Sequence, residues 1–479
     1  MIRLVFFTTT LFISSAVFSQ KIESPDDAYR FLYPESKSNI AFWSKPDSIK
    51  AMATKVRGFI PALPKNHIGI FTIRYILFAD IHLDGYDLKK AHQNLVLLDR
   101  FVESITDINR DFDFFLEAAR AYNLLHLTFK KFGDQDQARQ AVSTAENFLT
   151  NSLSKIDGDS SKYYSAVHAL ADVTNNIATL LFQTTHYLDP DDKRSETGRL
   201  LEAYFDRVDS LFELEDARKS QFIDLKSRVD PYTNMALVYG SYYRNQLKAQ
   251  KYLEKARELG VSICLDTSDF ACIKSGLHFR MVIGWVEFAN KNYRSCVEIL
   301  KPNLLEFEKL SKIYPALGRL HGEYKIDMLY ALNESYYYLN LPDSSLYYGE
   351  RLIKDSTLGI DYVALANASV LMSELYMESD VKRSRELLAL SRRLVQLSEA
   401  EMVRSKYVAQ GEEALLKETE NKLATLTQDM TITEARDKSI VRVVAIMSSL
   451  VIAFSIFALL KAMQKSRVNR SKPNETETE

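Results

Sequence analysis

Chain-breaking residues are scarce, with 15 glycines and 11 prolines among 479 residues, about half the share of an ordinary chain. So few breakers exclude collagen-like and loop-rich folds and argue against a β-sandwich. A surplus of one charge is missing too: 61 basic side chains face 63 acidic ones, for a net charge of −2. No electrostatic footprint for nucleic acid is present. Phosphate-binding Gly-x-x-x-x-Gly-Lys-Ser/Thr, dinucleotide-binding Gly-x-Gly-x-x-Gly and His-Glu-x-x-His are all absent. The eight histidines are scattered, with no pair at helical metal-ligand spacing. Asp80-x-His82-x-Asp84-Gly85 has the start of a calcium loop, but its twelfth position is Ala91 instead of a bidentate glutamate. It reads better as the turn of a repeat. No catalytic residue, cofactor site or metal site is therefore assigned, and the chain is read as not an enzyme. What remains is 46% hydrophobic and 26% charged, the balance of a folded chain rather than a disordered one. The expectation is an all-α protein.

Both ends carry apolar segments. Arg3, an apolar stretch over residues 4–17 and the small residues of Val17-Phe18-Ser19 form the pattern of a cleaved signal peptide, assigned to residues 1–19. Residues 443–460 (VVAIMSSLVIAFSIFALL) form an uncharged run long enough for a hydrocarbon core of about 30 Å. Lys461, Lys465, Arg467, Arg470 and Lys472 follow it without an acid until Glu475. Positive charge on that side predicts a cytoplasmic C-terminus. The expectation is a single-pass membrane protein, in a bacterial inner membrane, with a transmembrane helix at 440–462, a periplasmic N-terminal region and a short cytoplasmic tail at 463–479. A tail of that size is too small for a folded output domain.

Between the ends a helical pattern recurs. A helix rich in Leu, Tyr and Phe is followed by a polar turn, then by a small residue with further packing residues at three- and four-residue steps. One copy is Tyr122, Leu125, Phe129, the turn Gly133-Asp134, then Ala138, Val142 and Ala145. The small residues Ala91, Ala138, Ala249, Cys296, Ser345 and Ser384 are spaced by 47, 111, 47, 49 and 39 residues. The long gap leaves room for one more helix pair, near 162–184 and 196–213.

These units resemble tetratricopeptide repeats, stacked helical hairpins, although the spacing exceeds that family's usual period of about 34. The resemblance implies a solenoid over residues 20–398 whose concave side binds a protein or peptide. It also implies groove-lining positions fifteen, eleven and eight residues before each small residue. Carried over copy by copy, these are Asn123, Leu127 and Lys130; Asn234, Val238 and Ser241; Met281, Trp285 and Phe288; and Tyr330, Glu334 and Tyr337. The alternative for each aromatic is that it forms core between repeats.

No proline occurs between Pro342 and Pro473. Ala409, Leu416, Leu423 and Met430 keep seven-residue spacing, while Glu412 and Thr419 spoil the second seam. A helical stalk is expected over residues 399–439, with a homodimeric coiled coil as one use of it. The order of parts resembles the sensor half of bacterial membrane receptors whose cytoplasmic half is a histidine kinase or a helix-turn-helix regulator, with the output half missing. That resemblance implies a sensor or co-receptor that relays binding to a separate membrane signalling protein. The other reading is a tethered scaffold for envelope proteins. Cys264 and Cys272 flank a loop that one disulfide would close, two free thiols being the alternative. Cys296 occupies a packing position.

Overall fold

The computed structural model describes residues 57–82, 86–156, 159–185, 196–216, 228–263, 270–355 and 362–397, together with Thr54, Asn421 and Gln428. Antiparallel helices pair in order along the chain. Helices α1 (His67–His82) and α2 (Leu88–Glu103) form the first hairpin, followed by α3 (Phe112–Lys131) with α4 (Gln135–Leu153). Helices α5 (Ser160–Thr185) and α6 (Glu196–Asp216) fill the long gap between the copies of the sequence pattern. Helix α7 (Val229–Leu237, extended by a π turn over Val238–Tyr242) pairs with α8 (Gln246–Ile263). Then come α9 (Phe270–Ala289) with α10 (Tyr293–Ile313), a short α11 (Pro315–Leu320), α12 (Gly322–Tyr338) with α13 (Pro342–Asp355), and α14 (Tyr362–Tyr376). A last helix, α15, covers residues 381–397.

One local design repeats at the hairpin turns. Five residues before the small residue, the backbone turns left-handed at Gly133, Arg244, Lys291 and Asn340. Around three of these turns the hydrogen bonds are those of a Schellman motif. Asp134 N–H bonds Phe129 O, Asn292 N–H bonds Glu287 O and Leu341 N–H bonds Tyr336 O, at 2.9–3.0 Å. At Arg244 the equivalent bond reaches one residue further back, from Asn245 N–H to Tyr239 O, because the π turn inserts one residue there. Four residues before the small residue, Asp87, Asp134, Asn245 and Asp380 each accept a backbone N–H and cap the second helix. The capping series is broken at Asn292, whose side chain donates to Glu287 instead of capping, and at Leu341, where Pro342 opens α13.

Packing explains the small residues themselves. Ala91, Ala138, Ala249, Cys296 and Ser345 have no exposed surface, so the paired helices approach at those points with no room for a longer side chain. Twelve residues earlier, on the first helix, a polar group reaches the small residue's carbonyl: His126 Nδ1 to Ala138 O at 2.9 Å and Asn333 Nδ2 to Ser345 O at 2.8 Å. Ser373 reaches Ser384 O in the same way from eleven residues away. Burial pushes the His126 pKa down to about 3, so the ring is neutral and its Nδ1–H donates to that carbonyl. At Gly284, the equivalent place before Cys296, a Cβ would lie 2.2 Å from Leu300 Cδ2; only glycine lets α9 and α10 meet there.

The first helices of successive hairpins pack side by side: α1 on α3, α3 on α5, α5 on α7, α7 on α9, α9 on α12 and α12 on α14. They form the crowded inner layer of the array, and their partners form its outer layer. The short α11 comes back against α1, so the array returns onto its own first hairpin.

The expected membrane span is corrected. Among the described residues no helix is long and apolar enough to cross a membrane. The apolar helices α1 and α14 have 16 and 15 residues, too few for a hydrocarbon core, and α9 carries Lys274, Arg280 and Glu287. Residues 443–460, on which the expectation rested, lie outside the described residues, as do 1–19, 399–420, 429–442 and 461–479. The fold class is accordingly the all-α hairpin array without the span, and the expected stalk at 399–439 lies, apart from Asn421 and Gln428, outside the described residues. The single-pass placement with a periplasmic N-terminal region is not carried forward.

Candidate functional site

The positions expected to line a groove lie along the inner layer, and they fall into two stretches. In the first, asparagines pair across neighbouring helices. Asn176 of α5 donates to Asn123 Oδ1 of α3 at 2.8 Å, and Asn234 of α7 donates to Asn175 Oδ1 of α5 at 3.2 Å. Asn175 is buried, whereas Asn123, Asn176 and Asn234 are half-buried; a paired carboxamide keeps spare donor and acceptor capacity, so these three can bond the backbone of an extended chain. Leu127 is exposed, whereas Val238 is buried. Ser241 spends its hydroxyl on Leu237 O of its own helix, at 2.6 Å. Lys130 lies 3.5 Å from Thr179 Oγ1. Burial lowers its pKa, an effect partly offset by Glu323 and Asp327 of α12; the inner layer thus brings α3 near α12, far along the chain.

The second stretch is aromatic. Trp285 and Phe288 of α9 meet edge-to-face at 5.3 Å between ring centroids, and Tyr330 of α12 stands 5.8 and 5.9 Å from them. Phe288 also meets Tyr293 at 6.1 Å, and Tyr293 stacks on Tyr338 at 4.7 Å. Tyr337 sits beside Tyr338 and donates to Glu374 of α14 at 2.5 Å. Glu334 completes the group: one oxygen takes a hydrogen bond from Tyr330, while Oε2 is buried without a partner. Burial raises the Glu334 pKa, with the Tyr330 hydrogen bond opposing. Trp285 Nε1 is likewise buried without an acceptor. Trp285, Phe288, Tyr330, Glu334 and Tyr337 are therefore one constellation. Met281 is not part of it, being 2% exposed and packed in the core. Helical spacing alone could not separate it from Trp285, since both fall on the inward side of α9.

Three features were not read from the sequence. Asn175 and Asn176 were missed because the copy containing α5 and α6 has no recognisable small residue to set its register. At the N-terminal ends of α7, α9 and α12, Asp230 pairs with Lys274 and lies 3.5 Å from His278 Nδ1. The Tyr324 ring is stacked between His278 and His321, at 4.9 and 5.1 Å. Burial would raise the Asp230 pKa, yet Lys274 and His278 hold its carboxyl far below the usual range. The third feature is a tyrosine cluster between α6, α7 and α8. Tyr252 stacks on Tyr232 and Tyr239 at 6.0 and 5.6 Å. Lys248 lies over Tyr239, Lys255 over Tyr232, and both reach carboxylates of α6: Glu202 at 3.0 Å and Asp209 at 2.7 Å. Glu202, Asp206 and Asp209 at four- and three-residue steps, facing Lys248, Lys251 and Lys255, were the available signal.

Cys272 is disulfide-bonded and Cys296 is a free buried thiol that accepts from Ser335 Oγ at 3.3 Å. Cys264 lies outside the described residues. Asp80, from the calcium-like stretch, is spent on Arg57 and on Asn94 Nδ2 at 3.0 Å.

No family model and no curated protein matches the chain. Among solved structures it is similar to a signal transduction ATPase with numerous domains from Pyrococcus horikoshii, which carries a tetratricopeptide repeat sensor. The identity is 12% over 86% of this chain and 74% of that one, with a TM-score of 0.30. A superposition that loose transfers no function.

Proposed function

We propose that the chain is a protein-interaction module that holds an extended peptide of a partner along its inner helix layer. The observation that carries this reading is that the inner layer offers the carboxamides of Asn123, Asn176 and Asn234, the last tied to the buried Asn175, followed by the aromatic constellation around Glu334. Carboxamides suit the polar backbone of an extended segment, and the rings suit its side chains. The module performs no chemistry of its own in this reading. As a sensor, it passes the bound state to a separate signalling protein by drawing the first helices of neighbouring hairpins together.

The test uses random linear peptides displayed on phage and selected on the full chain. Selected peptides carrying a photoreactive group are expected to crosslink at Leu127 and Phe288 of the inner layer. They should spare Leu305, which is 59% exposed on the outer helix α10. Crosslinks confined to Leu305 and its neighbours would sink the groove reading. Relay is checked by resonance energy transfer between dyes at Leu127 and Tyr337: a distance unchanged at peptide saturation leaves binding in place and removes the sensor role.

A further inference from the structure

Two aromatic clusters of this molecule each set rings beside carboxylates, and they differ in their cations. Around Tyr232, Tyr239 and Tyr252, rings and α6 carboxylates are completed by the protein's own cations, Lys248 and Lys255, which lie 4.4 and 4.9 Å from ring centroids. Around Trp285, Phe288 and Tyr330, rings and a carboxylate are likewise together. Among the described residues no lysine or arginine lies over Trp285 or Phe288. None acts on Glu334 either, whose surroundings are burial and the Tyr330 hydroxyl. Glu334 Oε2 has no hydrogen-bond partner. The site is reachable from solvent, since Trp285, Phe288 and Glu334 are half-buried and Tyr338 is 49% exposed.

We infer that the constellation of Trp285, Phe288, Tyr330 and Glu334 is a pocket for a lysine or arginine side chain of the bound peptide. The inference rests on the peptide-binding reading and specifies the chemistry of the partner. A cation over the faces of Trp285 and Phe288 is attracted by the ring quadrupoles. Its N–H groups supply the donor that Glu334 Oε2 lacks, in a charge-assisted bond. An apolar side chain would leave that oxygen unpaired, a carboxamide would supply only an uncharged and weaker donor, and an acidic side chain would set two carboxylates together. Discrimination for a basic residue therefore comes from repulsion of the others as well as from attraction.

The experiment measures affinity of the full chain for peptides selected by display, by fluorescence anisotropy. Selected sequences should be enriched in Lys or Arg at one position. Replacing that residue by Gln should weaken binding about tenfold. Glu334→Gln in the protein should cost a similar factor, and the two changes together should cost little more than either, because they remove one interaction. Trp285→Tyr, which keeps a ring face, should bind better than Trp285→Leu, and circular dichroism checks that each variant is folded. If peptides crosslink to the inner layer but lose nothing when the basic residue becomes Gln, or when Glu334 becomes Gln, the cation pocket is wrong and the groove reading stands. If no peptide binds the inner layer, both fall together.

Discussion

The tyrosine cluster of α6–α8 and the aromatic constellation of α9–α12 differ in what finishes them. In the first, two of the three carboxylates have a lysine, Lys248 on Glu202 and Lys255 on Asp209, Asp206 accepts from the Tyr239 hydroxyl at 3.4 Å, and each of these lysines lies over a ring. The electrostatics close internally, and the cluster serves as packing between three helices. In the second, Glu334 is half-buried with an oxygen unpaired, and the rings of Trp285 and Phe288 lack a cation among the described residues. Natural structures pair buried polar atoms almost without exception, so a cluster left open on the inner layer has a functional cost that a closed one does not. Rings beside carboxylates thus make core in one place and, in the reading proposed above, a binding surface in the other, and the presence of a lysine on the facing helix separates the two.

The comparison breaks most strongly at Gly284. A methyl group there would meet Leu300, which is fully buried and cannot withdraw. Gly284→Ala should therefore destabilise the array by about 1–3 kcal/mol. Hydrogen exchange should speed up in α9, α10 and α12, where the open constellation sits, more than in α6–α8; uniform loosening would show that the two clusters share one cooperative unit. Next in size is Lys255→Met. It strips one cation from the closed cluster, Lys248 staying on Glu202, and leaves Asp209, only 9% exposed, with Tyr252 and the more distant Lys251. A loss of about 1–2 kcal/mol in denaturant unfolding is expected, without effect on peptide affinity. If affinity fell too, the closed cluster would be part of the site.

Trp285→Leu is expected to cost less stability, about 1 kcal/mol, since the ring is half-buried. It should weaken peptide binding about tenfold, the reverse of the Lys255 pattern. The smallest effect belongs to Glu334→Gln, and its sign is opposite. Burial raises the folded-state pKa of Glu334, so the folded state holds its proton more tightly than the unfolded chain. The stability this contributes is present at low pH and is lost as pH rises through the raised pKa. Without a ligand, Glu334→Gln should be slightly more stable than the wild type at pH 7, with the gap closing near about pH 4. A variant less stable than wild type at pH 7 would mean that Glu334 already has a cationic partner.

Much of this architecture was readable before any coordinates. Ala91, Ala138, Ala249, Cys296 and Ser345 marked the hairpins, because a helix pair in close contact admits only small side chains. Trp285, Phe288, Tyr330, Glu334 and Tyr337 were named together through the resemblance to tetratricopeptide repeats, carried over from the small residues Cys296 and Ser345. Legibility failed where local chemistry departed from the expected residue. The left-handed turn is glycine at Gly133 but Arg244, Lys291 and Asn340 elsewhere, since hydrogen bonds of the turn outweigh a modest backbone penalty. The α5–α6 hairpin carried no small-residue mark, so the asparagine row across it was invisible. Met281 was misplaced because period 3.6 tells which side of a helix a residue occupies, not how deep its neighbours bury it.

By itself, then, the sequence determined helix, hairpin and register, because those depend on spacing within some twenty residues and on the size of one side chain. Which aromatic cluster is closed and which is open was decided only by the tertiary structure. That depends on whether a lysine from another helix arrives over the rings and reaches a carboxylate on a third. Contacts of that kind join residues far apart in the chain, and no local periodicity records them.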